Sequence, residues 1–493
     1  MKPLGTITAC FPHVDEETRN ILQSIMDEAK DLDDFAEILC NRACVESFTP
    51  LAIYFAYFFS FNQSKFNLID KLQEARKYSV LAKPLLLSVQ TIRGLHVEWR
   101  EFRKAIAEAI EASQGDWITC HIYMGWKRFV EGLYPESSTD SRALGILESK
   151  IEIDHDLSFF LSYLYSIRAN RLSGERSVNE AIKMFNQAII QAKEHDNILD
   201  YTSLLAQKAN LVKRINIDEA LSILEVHREV CERFGFIAGV ADNDLNLGHI
   251  AMAKGEFNLG VHYQDRYLQV HSSLRFPSGY PSTLIAQLYN MMGDGAKALE
   301  LITGTRQEID RGNILFTLIH EAWALVNLDR IDEAEKSITK AKELVLKSDD
   351  EVRLGLTYFV EGLIEKSRHE FASASYTLEN ALDIFERYYS QAFVNITLIH
   401  LTDIEIESFS YKTTNEKLES SGPWMKKLLD LVAKKDLPGI DAQSKLLRAK
   451  FLFKQAQFTQ SKKLIKEVLK TSKFPGLQYL ENMVKLMLPE LLI

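Results

Sequence analysis

The sequence predicts an all-α protein, an α-solenoid of about ten helix-turn-helix units. Three observations lead there. Glycine and proline number 22 and 11 in 493 residues, about half of the ~12% in average usage and too few to turn the strands of an all-β protein. Segments with a helical apolar period succeed one another across short polar breaks, with no convincing strand between them. The same pattern also returns every 36 to 40 residues over most of the chain, as a repeat architecture requires.

Residues 1–85 stand outside the repeat. They read as helices over 15–30, 32–48, 50–62 and 66–82, started by the acidic groups Asp15-Glu16-Glu17 and Asp31 and by Pro50 just inside the third. This region is expected to cap the stack or to be divergent repeats, with a small effector domain as the other reading. The stretch TPLAIYFAYFFSF over 49–61 is apolar but short of the ~20 residues of a membrane span. It is expected to be a helix buried on all sides, with a docking surface as the alternative.

The array is expected over 86–394. Three segments show its register: 241–274, and those starting at Phe316 and Leu356. Each has an apolar helix, a polar break (AKGEF, NLDRI, KSRHE), a small residue soon after, and a second helix. The small residues are Gly260, Ala334 and Ala374. Further units place Ala181, Phe185 and Ala188; Ala220 and Leu224; Ala298 and Ile302; Ala105, Ala109 and Ala112; Ala143; and Ser461, Ile465 and Val468 in that pattern. Units then begin near 86, 124, 162, 201, 241, 279, 315, 355 and 442. A degenerate unit with a loop near 413–423 is expected over 395–441, and a basic repeat with a capping helix over 442–493.

These residues resemble the tetratricopeptide repeat family. Its unit carries small residues at the eighth, twentieth and twenty-seventh places. Gly248, Ala322 and Gly362 fall at the eighth here, the three small residues above at the twentieth, and Ala341 and Ala381 at the twenty-seventh. Two antiparallel helices approach closely only where one presents a small side chain. Units near 40 residues resemble the long-helix sensor arrays of MalT-like regulators, although their nucleotide-binding and DNA-binding domains have no counterpart here. The resemblance implies a right-handed superhelix with a concave partner-binding face. Carried over, its groove places give Asn170, Asp242, His249, Tyr280, Gln287, Asn290, Trp323, Asn327 and Lys366. Lys213 and Lys366 are the cations read at those places, so a clamp for a C-terminal carboxylate is not evident.

Enzyme readings lack parts. There is no phosphate-binding G-x-x-x-x-G-K-[ST], and the glycines near Gly293 and Gly295 belong to a turn between helices. No G-x-S-x-G elbow occurs, and His320-Glu321 and His369-Glu370 each lack the second histidine of a zinc helix. No catalytic residue, metal ligand or cofactor is expected. The five scattered cysteines suit a reducing cytoplasm, with Cys40 and Cys44 as small interior residues.

A net charge of −10 disfavours nucleic acid as the partner of the whole chain. From Gly422 onward, however, 14 Lys/Arg face 6 Asp/Glu. A solvated face is one account of that excess and an acidic partner the other. The function expected is a protein–protein interaction scaffold or adaptor gripping a peptide or helix of a partner on its concave face. The alternative is a sensor module binding a small molecule inside the superhelix.

Overall fold

The computed structural model describes residues 16–46, 48–49, 52–53, 55–56, 60, 66–75, 80–84, 87, 99–112, 178–194, 198–273, 279–305, 314–346, 350–408 and 422–488. Regular structure among them is helical throughout. The chain divides into two compact units, Met1–Asn243 and Asp244–Ile493.

The first unit contains α1 (Glu16–Glu28), α2 (Leu32–Val45), α3 (Phe66–Glu74), α4 (Trp99–Ala112), α5 (Val178–Glu194), α6 (Ile198–Val212) and α7 (Ile217–Phe234). The side chain of Asp31 caps α2 by accepting from the Asp34 N–H. Phe35, Leu39 and Cys40 point inward from α2, and the Cys40 thiol donates to the Leu68 carbonyl at 3.0 Å. Burial, with Cys44 beside it, pushes that thiol up to about 12, so it packs as a small apolar group. The helix expected over 66–82 instead stops at Glu74. In the apolar stretch, the described residues Ala52, Ile53, Phe55, Ala56 and Ser60 are all buried. Ser60 spends its hydroxyl on the Ala56 carbonyl. No helix among the described residues is long and apolar enough to cross a membrane.

The repeat appears first in α4, where Ala105 and Ala109 are fully buried, and in α5, where Ala181, Phe185 and Ala188 are. Helices α6 and α7 pair next, with Ala220 and Leu224 between them. The expected unit starting near 124, with Ala143, lies outside the described residues, as does most of the expected loop near 413–423.

Helix α8 (Ile237–Lys254) spans the division, and the second unit continues as α9 (Phe257–Ser273), α10 (Gly279–Met291), α11 (Gly295–Gly304), α12 (Ile314–Asn327), α13 (Ile331–Val345), α14 (Glu351–Ser367), α15 (Phe371–Arg387), α16 (Gln391–Ser408), α17 (Pro423–Lys434), α18 (Pro438–Lys454), α19 (Phe458–Thr471) and α20 (Leu480–Met487). Consecutive helices pack as hairpins, and each also packs on the next hairpin. This is an α-solenoid. The segment after 395, where the repeat pattern is weakest, still builds a hairpin from α16 and α17.

The small residues do what their spacing predicts. A side chain on Gly260 would stand 3.5 Å from the Gly248 carbonyl, and one on Gly362 would stand 3.3 Å from that of Ala374. The eighth and twentieth places thus face each other across each hairpin. In the last hairpin Ser461 holds the twentieth place, and its hydroxyl donates to the Ala449 carbonyl at the eighth, at 2.7 Å.

The turns repeat as well. Gly255, Gly293, Asp329, His369 and Ala456 share one place and all have positive φ, between 58° and 79°. After each, the next N–H donates to a carbonyl five residues back: Glu256 to Ala251, Asp294 to Tyr289, Arg330 to Leu325, Glu370 to Glu365 and Gln457 to Leu452. This is the Schellman closure, which stops the first helix and satisfies its last carbonyls.

The array of the second unit closes on itself. The Asn395 amide donates to the Ala253 carbonyl at 2.8 Å, and the Tyr479 hydroxyl to that of Gly255 at 3.0 Å. The Asn258 N–H donates to the Gly476 carbonyl, and the Tyr479 N–H returns a bond to the Asn258 side chain at 2.9 Å. Gly255 and Gly439 let the two backbones meet, since a side chain on Gly439 would stand 2.1 Å from the Gly255 carbonyl.

Candidate functional site

The first helices of successive hairpins, α10, α12, α14, α16 and α18, form the inner row of the second unit. Alternate helices touch directly, α10 with α12, α12 with α14, α14 with α16 and α16 with α18. Side chains at the groove places therefore meet one another.

At one end of the row they form a charged ladder. Lys366 on α14 reaches Asp403 on α16 at 2.5 Å, and Lys450 on α18 reaches the other Asp403 oxygen at 2.6 Å. Lys450 also pairs with Glu407 at 2.5 Å, and Lys454 closes the row on Glu407. These side chains retain between 15% and 29% of their exposure, so the row borders solvent without being free in it. Burial would raise the Asp403 pKa, but Lys366 and Lys450 together outweigh it and hold the carboxyl below the usual range. Burial would likewise depress Lys450, and Asp403 and Glu407 hold it above its ordinary value. His400 lies beside the ladder, its Nδ1 3.4 Å from Lys366 Nζ. Burial first and the Lys366 charge second push its pKa down to about 3, so it is neutral at pH 7.

Deeper in the row the groove places are filled by rings and amides. Phe316, His320, Trp323, Phe359 and His400 form a continuous series with centroid separations of 4.3, 5.9, 4.9 and 5.6 Å. The Asn290 amide donates to the His320 carbonyl at 2.9 Å, and Asn327 donates to the Asn290 carbonyl at 3.0 Å. Among the described residues, neither ring nitrogen of His320 has a hydrogen-bond partner. Burial alone takes its pKa down to about 3.

Several expected surface residues are corrected by this packing. Trp323, 1% exposed, lies between His320 and Phe359 and faces helices, not an open trough. Gln287 and Asn290 are buried too, and Gln287 approaches the Met252 sulfur at 3.0 Å. The physical reason is that direct contact between alternate helices encloses the places that a wider superhelix would expose. Asn327, His249 and Lys366 are half-buried, and Asp242, in the first unit, is exposed. Asp242 is nonetheless crowded enough that desolvation raises its pKa to about 6. Asn170 and the side chain of Tyr280 lie outside the described residues.

Asp403, Glu407, Lys450 and Lys454 were not among the expected groove residues. The signal for them was in the sequence. Counted from 395 and 442, they occupy the same ninth and thirteenth places as Trp323 and Asn327 do from 315. Poor matching from 395 to 441 hid the first two, and Lys450 and Lys454 read as part of the basic C-terminal end.

The repeat length, the facing small residues and the paired helices define the building block. These are tetratricopeptide-like hairpins. No protein-family description and no curated protein matches the chain. Among solved structures, it is similar to a signal-transduction ATPase with numerous domains and a tetratricopeptide repeat sensor from Pyrococcus horikoshii, at 13% identity and a TM-score of 0.35, covering 98% of this chain and 69% of that one. Yeast Tom70 aligns at 11% identity and a TM-score of 0.34, covering 99% and 97%. Naa15/Naa10 bound to HypK-THB aligns at 12% and 0.25, covering 99% and 93%. At those scores the description of the tetratricopeptide-like array rests on its own hairpins.

Proposed function

We propose that the protein is a non-catalytic interaction scaffold that holds a peptide or helix of a partner protein along the charged ladder of its inner row. The supporting observation is the alternating run Lys366, Asp403, Lys450, Glu407 and Lys454, presented by the first helices of three successive hairpins and still reached by solvent. Ion pairs at this depth add little net stability, and apolar residues of similar volume would join the same helices. Recognition accounts for charges kept there: a fixed alternating row selects a partner segment of complementary pattern and repels others. The buried free thiols Cys40 and Cys231 suit a reducing compartment, and we place the protein in the cytoplasm. The sensor alternative has less support, because the interior at Trp323 is packed ring against ring.

The test is site-specific photo-crosslinking in the native cell. A benzophenone side chain at Lys454 or Asn327 is expected to trap one discrete protein, and one at Glu379 on the outer helix α15 is not. Adducts from Glu379 alone would overturn the proposal.

A further inference from the structure

Helix α19 differs in charge from the other second helices of its unit. Lys462, Lys463, Lys466 and Lys470 are exposed on it, and Lys473 follows in the next turn. Ser461, Ile465 and Val468 form the buried face. At 100° per residue the four lysines of the helix fall within an arc of roughly 100° away from that face. Among the described residues none of the five is paired with a carboxylate, and Glu467 is the one acid on the helix. Elsewhere on the second helices, some cations are paired with carboxylates: Lys342 with Glu361, Arg387 with Asp383 and Lys427 with Glu386. Lys462 with Lys466, and Lys466 with Lys470, are like charges four apart, an arrangement that destabilises a helix. A merely solvated face has no need of it.

The stripe runs between two exposed aromatics. Phe458, 52% exposed, opens the helix, and Phe474, 60% exposed, follows its end. Phe474 sits on a turn pinned from several sides. Its N–H donates to the Thr471 carbonyl, Gly476 accepts from the Asn258 N–H, and Ser472 bonds Glu481. An exposed ring on a fixed turn loses little entropy when it is covered, which makes it a ready anchor.

We infer that the outer face of α19 docks an acidic segment of a partner protein, with Phe474 receiving an apolar side chain at the end of the stripe. Charge complementarity carries the assignment, and the dimensions agree with it. Lys462 to Lys470 covers ~12 Å of helix, the reach of about four extended residues. A bilayer is a poorer occupant, because the apolar face of α19 is already packed in its hairpin and cannot enter the interface. Nucleic acid lacks aromatic platforms between the lysines on which bases would stack. The surface is on the second helices and does not depend on the inner row.

The experiment uses the full chain and a fluorescein-labelled peptide of about ten residues, five consecutive glutamates followed by Leu-Phe, read by anisotropy near 0.1 M salt. The triple variant Lys462→Gln, Lys466→Gln, Lys470→Gln is expected to weaken binding at least ~10-fold, and Phe474→Ser about threefold or more. A control triple, Lys183→Gln, Lys336→Gln, Lys340→Gln, changes net charge equally and is expected to stay within about twofold. Melting curves confirm that the exposed substitutions leave the fold intact. Equal losses in the two triples, or no loss in Phe474→Ser, would overturn the proposal. So would tighter binding, through the same lysines, of phosphatidylserine vesicles or of oligothymidine.

Discussion

A histidine with no hydrogen-bond partner for either ring nitrogen is neutral for a physical reason: charging it would strand a cation among rings. His320 is fully buried against Phe316 and Trp323, and burial takes its pKa down to about 3. His400 reaches the same value with Lys366 adding to the effect. In an unfolded chain both would titrate near ~6.5, so between about pH 6.5 and pH 3 the unfolded state binds more protons. Stability is then fully present above the unfolded value and is lost as pH falls through that window. From pH 7 to pH 5 each histidine is expected to withdraw about 2 kcal/mol. Urea unfolding at pH 7, 6 and 5 checks this, and His320→Phe should roughly halve the slope. Asp403 acts lower on the scale. Its folded pKa is depressed, so its contribution holds above the ordinary carboxylate range and falls away only below about pH 4. At neutral pH, Asp403→Asn leaves Lys366 and Lys450 without their shared partner and is expected to cost about 2 kcal/mol, read as a lower urea midpoint.

At the scale of the helix pair, one unit is a close crossing followed by a left-handed turn, and each part makes its own prediction. Ala334 is fully buried at the twentieth place, so Ala334→Leu is expected to overpack its hairpin and cost ~1–3 kcal/mol in denaturant unfolding. The turn responds in the opposite direction. Ala456 stands at φ 60° where the first hairpins carry Gly255 and Gly293. An L-residue is disfavoured there by ~1–2 kcal/mol, and the flexibility that glycine adds to the unfolded chain returns part of that. Ala456→Gly is therefore expected to raise stability by about 0.5–1 kcal/mol in the same assay. Small residues facing each other across a hairpin were legible in the sequence because that contact is local: Gly248 meets Gly260, and Gly362 meets Ala374, through one turn. Exposure at the groove places was not legible in the same way. Whether Trp323 borders a trough or an interior depends on how tightly successive hairpins coil, a quantity summed over several units and written at no single position. Asp403 and Lys450 form an intermediate case. Their places could be counted, but their pairing across 47 residues follows only once α16 and α18 are known to be adjacent.

At the scale of the second unit, closure separates this array from an open solenoid. In an open stack each repeat touches only its neighbours, so a lesion at one end leaves the other end's stability unchanged. Here the turn at 253–258 is held by Asn395, Gly476 and Tyr479, and the Phe257 and Tyr479 rings meet at 4.8 Å. The contact with Tyr479 joins positions more than 200 residues apart, so the ends meet only after the hairpins between them have formed. Gly439 is the point at which to test this. A methyl group there would stand 2.1 Å from the Gly255 carbonyl, backbone against backbone, with no side chain free to move aside. At Gly362 the neighbour is the Leu378 side chain, which can shift. Gly439→Ala is accordingly expected to part the two ends while leaving the hairpins folded. Hydrogen exchange would then accelerate in 250–260 and 474–482 together, although neither region neighbours the substitution in sequence. Exchange in α12 to α14 should hardly change, and Gly362→Ala should give no such distant effect. A Gly439→Ala protein that exchanged faster around 439 alone would show that the ends do not support each other, and the array would then be an open one.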